Sequence, residues 1–528
     1  MISSTTILTL LRTHADLRPA APFILFEGPD RHRVELTYRS MYRRAMASAA
    51  VLRDRGVGPE DRVVVVLPNC VEFLDLWFAT AVLGGVFVPV NPAGTAEELS
   101  WILADTDCAL SIGDGDTVDR LRDASELAGR SSAPVLATSV SSAAADYDAA
   151  GYYAADEGGG YSPDSTAAIL YTSGTTSRPK GVVVTHANYV NAGEAVAGHL
   201  RIRSDDRWLV VLPLFHANAQ YYCLMSALMS GASVAITNRF SASNWGRQVR
   251  ELDATLASLF AAPMRMILES TIEPDDGENR LRATLFAQNL RPELIKAFKR
   301  RFRTPLLQLY GMTETIAPAT FNPLYLRQRS ESIGPPLGGR PLRLVDINGQ
   351  DVATGEVGEL LVGGVPGRTL MAGYLGNPAA TAAALDEGWL RTGDLARADD
   401  DGYLYFVDRA KDMIKRAGEN VAAAEVERVV DQHPAVAESA AVGIADPVRD
   451  EAIVVHVVLK PGSTVAESEL LDWCAQRLSS FKVPSAMHFR AELPRTSVGK
   501  VRKDLLRAQS VGTAAENASA PNRQGVSG

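Results

Sequence analysis

The stretch Tyr171-Thr172-Ser173-Gly174-Thr175-Thr176-Ser177-Arg178-Pro179-Lys180-Gly181 gathers five Ser/Thr hydroxyls, two glycines and two cations between apolar runs. Ala167-Ala168-Ile169-Leu170 before it and Gly181-Val182-Val183-Val184 after it are of strand type, and Ala187 to Leu200 reads as a helix. Glycine lets backbone N–H groups come close to an anion, hydroxyls donate to phosphate oxygens, and Lys180 and Arg178 balance charge, so the stretch reads as a phosphate cradle. A polar hairpin loop is the competing reading, because the same residue types dominate ordinary turns. The G-x-x-x-x-G-K-[ST] spacing is absent, so a nucleotide held here is not held by a Walker A loop.

On the N-terminal side, apolar residues at helical spacing from Leu36 to Gly56 lead into the strand run Val63–Leu67, a helix from Val71 to Leu83, a strand over Val86–Val90 and a helix from Thr95 to Asp105. On the other side, Trp208–Leu212 is a strand running into Pro213-Leu214-Phe215-His216. It is followed by a strand at Ala232–Thr237, a helix from Trp245 to Leu259, a strand at Ala283–Phe286 and a helix from Pro292 to Phe302. The strand Leu306–Tyr310 then ends at Gly311-Met312-Thr313-Glu314-Thr315. This alternation implies βαβ units around parallel sheets, an α/β fold. Ligands in such sheets sit at the carboxyl ends of strands, and three polar clusters fall there: the 171–181 loop, His216 and the 310–315 turn. Residues 131–164, rich in Ala, Ser and Gly, read as a surface linker.

From about residue 340 short strands and Gly-rich turns suggest a small β subdomain. After Lys411 a compact α+β unit is expected, with helices at Ala423–Asp431 and Val465–Leu478 and strands around Glu438–Val442 and Ala452–Leu459. The expected division is 1–410, a C-terminal domain at 411–508, and a disordered tail at 509–528 that lacks apolar patterning. No internal repeat is found.

With 528 residues the chain should form two to four folding units. The balance of 53 Lys+Arg against 62 Asp+Glu, net −9, argues against a general nucleic-acid or anionic-membrane surface. Cys70, Cys108, Cys223 and Cys474 are widely spaced in apolar surroundings, as reduced core thiols would be, without zinc or disulfide-framework spacing. Ile7–Leu11 has no basic region before it and is too short for a signal peptide or a membrane span, so a cytoplasmic location is expected.

Taken together, several ordered motifs resemble the adenylate-forming superfamily of acyl-CoA synthetases, non-ribosomal peptide adenylation domains and luciferases, over Thr37 to Arg507. Tyr171–Gly181, Ser332-Ile333-Gly334, Gly364-Val365-Pro366-Gly367, Tyr405-Phe406-Val407-Asp408-Arg409, Met413–Asn420 and Phe481-Lys482-Val483-Pro484-Ser485 are most similar to crotonobetaine/carnitine–CoA ligases. The resemblance implies a large N-terminal region of two α/β subdomains and a small β subdomain, followed by a small mobile α+β domain. It also implies two half-reactions: a carboxylate attacks the α-phosphate of ATP to give acyl-AMP and pyrophosphate, and the thiol of coenzyme A then displaces AMP.

On that resemblance Thr172, Ser173, Gly174, Thr175, Thr176 and Lys180 hold the departing phosphates, Glu314 is the Mg²⁺ ligand and Thr313 contacts the α-phosphate. Tyr310 stacks on adenine beside Gly311, while Gln288 and Asn289 lie along the adenine edge. Asp394 and Arg409 bind ribose. Lys500, in Thr-Ser-Val-Gly-Lys, stabilises charge during adenylation. Lys411 is the hinge, Gly418 lines the coenzyme A tunnel, and Lys415 or Arg416 contacts phosphate, with a solvated basic edge as the alternative. His216 gates the carboxylate pocket, near Asn218 and Ala287. Without the motifs, Glu314 would read as a solvated turn carboxylate, Tyr310 and His216 as core residues, and Asp394 as a turn former.

One departure bears on the acid. Where many relatives carry Gly-Gly-Ala-Pro, this chain has Phe286-Ala287-Gln288-Asn289-Leu290, which would narrow or polarise the acyl pocket and favour a short or polar acid. Glu194 is a candidate partner for a cationic, carnitine- or ω-amino-like tail, against the competing reading of a solvated helix carboxylate. Other functions stay open at this point: loading of a carrier protein, activation of medium-chain fatty acids, or a nucleotide-binding regulator without catalysis. Lys500, Glu314 and Asp394 argue against the last. The expected partners are a small carboxylic acid, ATP and coenzyme A, and a homodimer is left open.

Overall fold

Val63-Val64-Val65-Val66 offers no polar position to water, so it is satisfied only in a sheet covered on both faces. In the computed structural model, which describes residues 4–130, 134–138, 161–172, 179–416, 419–446, 450–496 and 499–518, this run lies in the strand Arg62–Val66. The strand pairs in parallel with Val86–Pro89 on one side and Leu110–Gly113 on the other. Among the described residues the sheet has seven strands. Its order is Gly373–Tyr374, Lys180–Thr185, Thr166–Thr172, Val86–Pro89, Arg62–Val66, Leu110–Gly113, Val135–Ala137. Thr166–Thr172 and Lys180–Thr185 are antiparallel with Thr172 opposite Lys180, so the Ser173–Arg178 segment joins the two strands of a hairpin. Val135–Ala137 falls in the stretch expected to be only linker, yet it adds a parallel edge strand to Leu110–Gly113.

The second sheet has eight strands among the described residues. Its order is Thr320–Phe321, Leu306–Tyr310, Ala283–Ala287, Leu256–Phe260, Arg207–Val210, Ser233–Thr237, Pro22–Glu27, Arg33–Thr37. The outermost pair at each end is antiparallel and the interior pairs are parallel. One expectation fails here: Trp245–Leu259 is not a single helix. The helix covers Ala242–Glu251, Asp253 turns the backbone at φ 56°, and Leu256–Phe260 is a strand buried at every position. A short, wholly buried run has no period that separates buried strand from buried helix, and here the neighbouring strands decide.

Asn69 joins the two sheets. It follows the Arg62–Val66 strand of the first, and its amide N–H groups donate to the carbonyls of Leu212 (3.0 Å), just beyond one strand of the second, and Thr237 (3.1 Å), the last residue of another. Its side-chain oxygen accepts from the Leu214 N–H at 2.7 Å. The two sheets, their helices and the segments Leu361–Thr392 and Asp399–Tyr405 form one unit.

The second unit comprises Leu344–Leu360, Gly393–Ala398 and the chain from Phe406 onward, and so differs from a single cut after residue 410. Its sheet runs Glu419–Ala422, Met413–Arg416, Asp450–Leu459, Val436–Asp446, with Ala486–Arg490 parallel to Asp450–Leu459. Helices Ala423–Val430 and Glu467–Ala475 cover a core of Val421, Val426, Val430, Ile453, Val455 and Leu470. The last helix continues over Lys503–Ala518, past the expected start of a disordered tail at residue 509. At Ser510 the helix is tied to the sheet, the hydroxyl lying 2.9 Å from Nε2 of the buried His456. All four cysteines are buried and free, and no described helix is long and apolar enough to cross a membrane.

His186 opens the helix His186–Leu200, packs against the Tyr161 ring, and has no hydrogen-bond partner for either ring nitrogen among the described residues. Burial lowers its pKa from 6.5 to about 4. The unfolded chain therefore takes up the proton first as pH falls from 6.5 toward 4, and stability is lost across that window by roughly 2–3 kcal/mol at its lower end. His186→Phe should retain the packing and flatten this loss. Melting temperatures at pH 7 and pH 4.5 test it, and an equally steep decline in the variant would reject the assignment.

Candidate active site

Strand Leu306–Tyr310 ends where Gly311 meets a neighbour: a Cβ at Gly311 would lie 2.7 Å from the Tyr222 hydroxyl oxygen, so only glycine carries the chain past it undisturbed. The next residues, Thr313–Thr315, form one 3₁₀ turn, closed by the Thr315 N–H to the Met312 carbonyl and by the Met312 N–H to Thr315 Oγ1. This turn buries Glu314 to 5% exposure. Segment 371–374 grips it twice: the Met371 N–H donates to the Glu314 carbonyl at 3.0 Å, and the Tyr374 hydroxyl donates to Oε1 at 3.0 Å. Burial, together with the Glu314 charge, holds the Tyr374 phenol far above its ordinary pKa, so it remains a donor.

Tyr374 pairs with Val182 on the Lys180–Thr185 strand, and Lys180 Nζ lies 4.8 Å from the centre of its ring. The structure thus brings Lys180 and Glu314 to one tyrosine that the sequence reading missed. The only local signal was an aromatic residue in Gly373-Tyr374, a pair too short to read as a strand. Thr172 stands opposite Lys180 in the hairpin. Ser173, Gly174, Thr175 and Thr176 of the loop, and Gly418, lie outside the described residues.

At the neighbouring strand end, Gln308 donates to the Gln288 carbonyl and to Asn289 Oδ1, both at 3.3 Å, which sets these residues beside Tyr310 and Gly311. Gln288 has φ 76°, so the chain turns sharply there. Phe286 and Leu290 of the same stretch face the apolar core, leaving Ala287, Gln288 and Asn289 as the positions that differ at the strand end. His216 meets Phe260 edge-on at 5.5 Å. Its Nδ1 accepts the Asn218 N–H at 3.3 Å, which puts the neutral ring's proton on Nε2. Asn218, 4% exposed, starts a π-helical turn over Asn218–Leu224, and its Oδ1 accepts from the Ser258 hydroxyl at 2.9 Å. Glu194 is exposed on the helix His186–Leu200, as the solvated reading had it.

In the second unit, Asp394 is 5% exposed and its Oδ1 lies 3.3 Å from Arg409 Nε, so the two expected ribose contacts form an ion pair. Asp408 caps the helix that begins at Ala423, accepting from the Ala424 N–H. Lys411 is exposed in the Ala410–Asp412 turn. Lys415 and Arg416 alternate on the strand Met413–Arg416: Lys415 is exposed, whereas Arg416 is buried and donates to the Val483 carbonyl. Strand alternation turns Arg416 inward, so the solvated-edge alternative does not describe it. Lys500 is exposed on a loop closed by the Thr496 N–H to the Lys500 carbonyl at 2.8 Å, with Gly499 at φ 78° and Arg495 bonded to the Gly499 carbonyl.

No group of three or more His, Cys, Asp or Glu side chains placed to hold a metal occurs among the described residues. The single buried carboxylate of Glu314 still fits Mg²⁺ that arrives with a nucleotide, since that ion commonly takes one or two carboxylates and completes its shell with phosphate oxygens and water.

Residues 11–375 match the sequence model of the AMP-binding enzyme family, and residues 425–500 match that of the AMP-binding enzyme C-terminal domain. The chain is 36% identical over 496 residues to a crotonobetaine/carnitine–CoA ligase of Salmonella paratyphi B, covering 92% of this chain and 95% of the relative. Among solved structures it is similar to ATP-bound MatB from Rhodopseudomonas palustris, with 28% identity, a TM-score of 0.86, and coverage of 96% of this chain and 99% of the other. A Mycobacterium tuberculosis fatty acyl CoA synthetase gives 29% identity, a TM-score of 0.73, and coverage of 96% and 99%. The chain belongs to the AMP-binding enzyme family of adenylate-forming enzymes, among its AMP-forming acyl-CoA ligases.

Proposed function

We propose that this ligase activates a short or polar carboxylic acid, with cationic acids of the carnitine or ω-amino type as the leading class, and passes the acyl group to coenzyme A. The arrangement that carries the adenylation chemistry is Lys180, Tyr374 and Glu314 around one phenol ring. A carboxylate oxygen of the acid attacks the α-phosphorus of ATP, the bond to the β-phosphate oxygen breaks, and pyrophosphate leaves. Negative charge grows on the leaving group, where preplaced cations and donors lower the barrier most. Lys180 and the loop before it serve those phosphates, and Thr313 serves the α-phosphate. Mg²⁺ bound at Glu314 would neutralise phosphate charge. Tyr374 keeps that carboxylate oriented, and Lys500 stabilises the charge shared by the attacking carboxylate and the α-phosphate.

In the second half-reaction the coenzyme A sulfur attacks the acyl carbon, the bond to the phosphate oxygen breaks, and AMP departs. Acyl-AMP is an activated mixed anhydride and a thiol of pKa about 8.5 is already partly ionised near neutrality, so no dedicated base is needed. Lys411 is the proposed hinge and Lys415 the exposed cation for coenzyme A. The preference for a polar acid is supported by the crotonobetaine/carnitine–CoA ligase relatives. Glu194 is not drawn on, because it is solvent-exposed.

A pyrophosphate-release screen over short, ω-amino, quaternary-ammonium, aromatic and medium-chain acids, with free coenzyme A and mass spectrometry of products, should give its highest kcat/KM in the first three classes. A medium-chain optimum would overturn the substrate assignment, and acyl-AMP that never becomes acyl-CoA would point to a carrier protein instead. Lys500→Ala should abolish acyl-AMP formation while sparing thioester formation from supplied acyl-AMP; equal loss of both steps would remove its assigned role. Tyr374→Phe should slow ATP–pyrophosphate exchange about 10- to 100-fold, as loss of a partner to a metal-binding carboxylate does. An unchanged rate would show that the phenol does not orient Glu314.

A further inference from the structure

Ile316 follows the Glu314 turn at φ 66°, ψ −81°, the γ-turn region at positive φ, which is rare and strained and especially disfavoured for a β-branched side chain. It is also fully buried. Such a conformation persists only where its surroundings over-determine it. What holds it is visible on both sides. The Ile316 N–H donates to the Thr313 carbonyl at 3.3 Å, and the Ala319 N–H donates to the Tyr310 carbonyl at 2.8 Å. The carbonyl directly after the strained residue, that of Ala317, accepts from Arg340 Nη1 at 3.2 Å. The other arm of the same guanidinium donates to the Thr369 carbonyl, at the start of the segment that grips Glu314 through Met371 and Tyr374. Arg340 Nε is buried without a hydrogen-bond partner among the described residues, and no described carboxylate forms an ion pair with this guanidinium. Burial accordingly lowers its pKa to about 10. A cation held inside the protein by two backbone carbonyls is costly and spends its two-pronged geometry on bracing.

We propose that Arg340 is a positioning residue for adenylation: by joining the Ala317 and Thr369 carbonyls it locks the strained Ile316 turn and the 369–374 segment together, and so fixes Thr313 and Glu314 at the distance Mg²⁺-bound ATP requires. This rests on the reading of Glu314 as the metal ligand. Arg340 touches neither metal nor nucleotide in this scheme. Its effect passes through the backbone, and a guanidinium fork can span two carbonyls where a lysine ammonium cannot.

The test uses the full chain and measures ATP affinity by calorimetry in Mg²⁺ and in EDTA, the ratio being the gain due to metal; no acid is needed. In R340M this gain should fall about ten-fold while ATP affinity in EDTA and the melting temperature hold, because displacement of an outer support costs about 10–100-fold at a metal ligand. R340K should lose as much, and it stands in if R340M fails to fold. In R340M/I316G, glycine adopts the positive φ without a Cβ clash, so the gain should return to within about three-fold of wild type. A wild-type gain in both single variants overturns the proposal, as does a loss that tracks melting temperature and is not restored by I316G. E314Q separates the two levels. If E314Q abolishes the gain while R340M keeps it, only the role of Arg340 fails; if E314Q keeps it, the metal-ligand reading fails and this proposal with it.

Discussion

The amide of Asn69 is the constraint on which the larger unit depends. Its two N–H groups and one oxygen bind the ends of strands from a different sheet, at Leu212, Thr237 and Leu214, within a buried site. Losing one such partner would strand buried backbone groups, at about 1–3 kcal/mol each. The interaction also has a local consequence. Leu214 lies two residues before His216, so the stitch that joins the sheets also sets where the polar segment His216–Asn218 leaves the strand.

The geometry at Glu314 follows the same logic on a smaller scale. A carboxylate buried this deeply pays for lost hydration unless donors are aimed at it. Tyr374 supplies one, and Met371 fixes the backbone behind it. The aromatic ring then faces Lys180 from the adjacent strand, so one tyrosine meets both a cation and an anion.

Much of this was readable from residues. The Leu306–Tyr310 strand and the turn that follows it were legible in composition and spacing, because an apolar run of strand length ends there at a glycine and a polar cluster. Trp245–Leu259 was misread because an unbroken run of buried positions carries no period, and only the parallel partners at Arg207–Val210 and Ala283–Ala287 choose strand over helix. Lys415 and Arg416 could not be told apart for a different reason: in Lys-Arg the two cations look alike in sequence, and only strand alternation sends one to solvent and the other to the Val483 carbonyl. Tyr374 and Arg340 were invisible, since each acts on a residue far away in the chain.

By itself, the sequence determined the α/β class and the family, because these depend on local patterns: apolar runs of strand and helix length, glycines at forced turns, and charged residues at fixed offsets within short motifs. The tertiary structure alone decided which groups meet. Lys180, Glu314 and Tyr374 are separated by up to 194 positions, as their numbers show, yet share one ring contact and one hydrogen bond. The strained Ile316 turn is held by an arginine 24 positions on. Contacts of this kind are set by sheet order and by the closing of loops over a core, which no local pattern encodes.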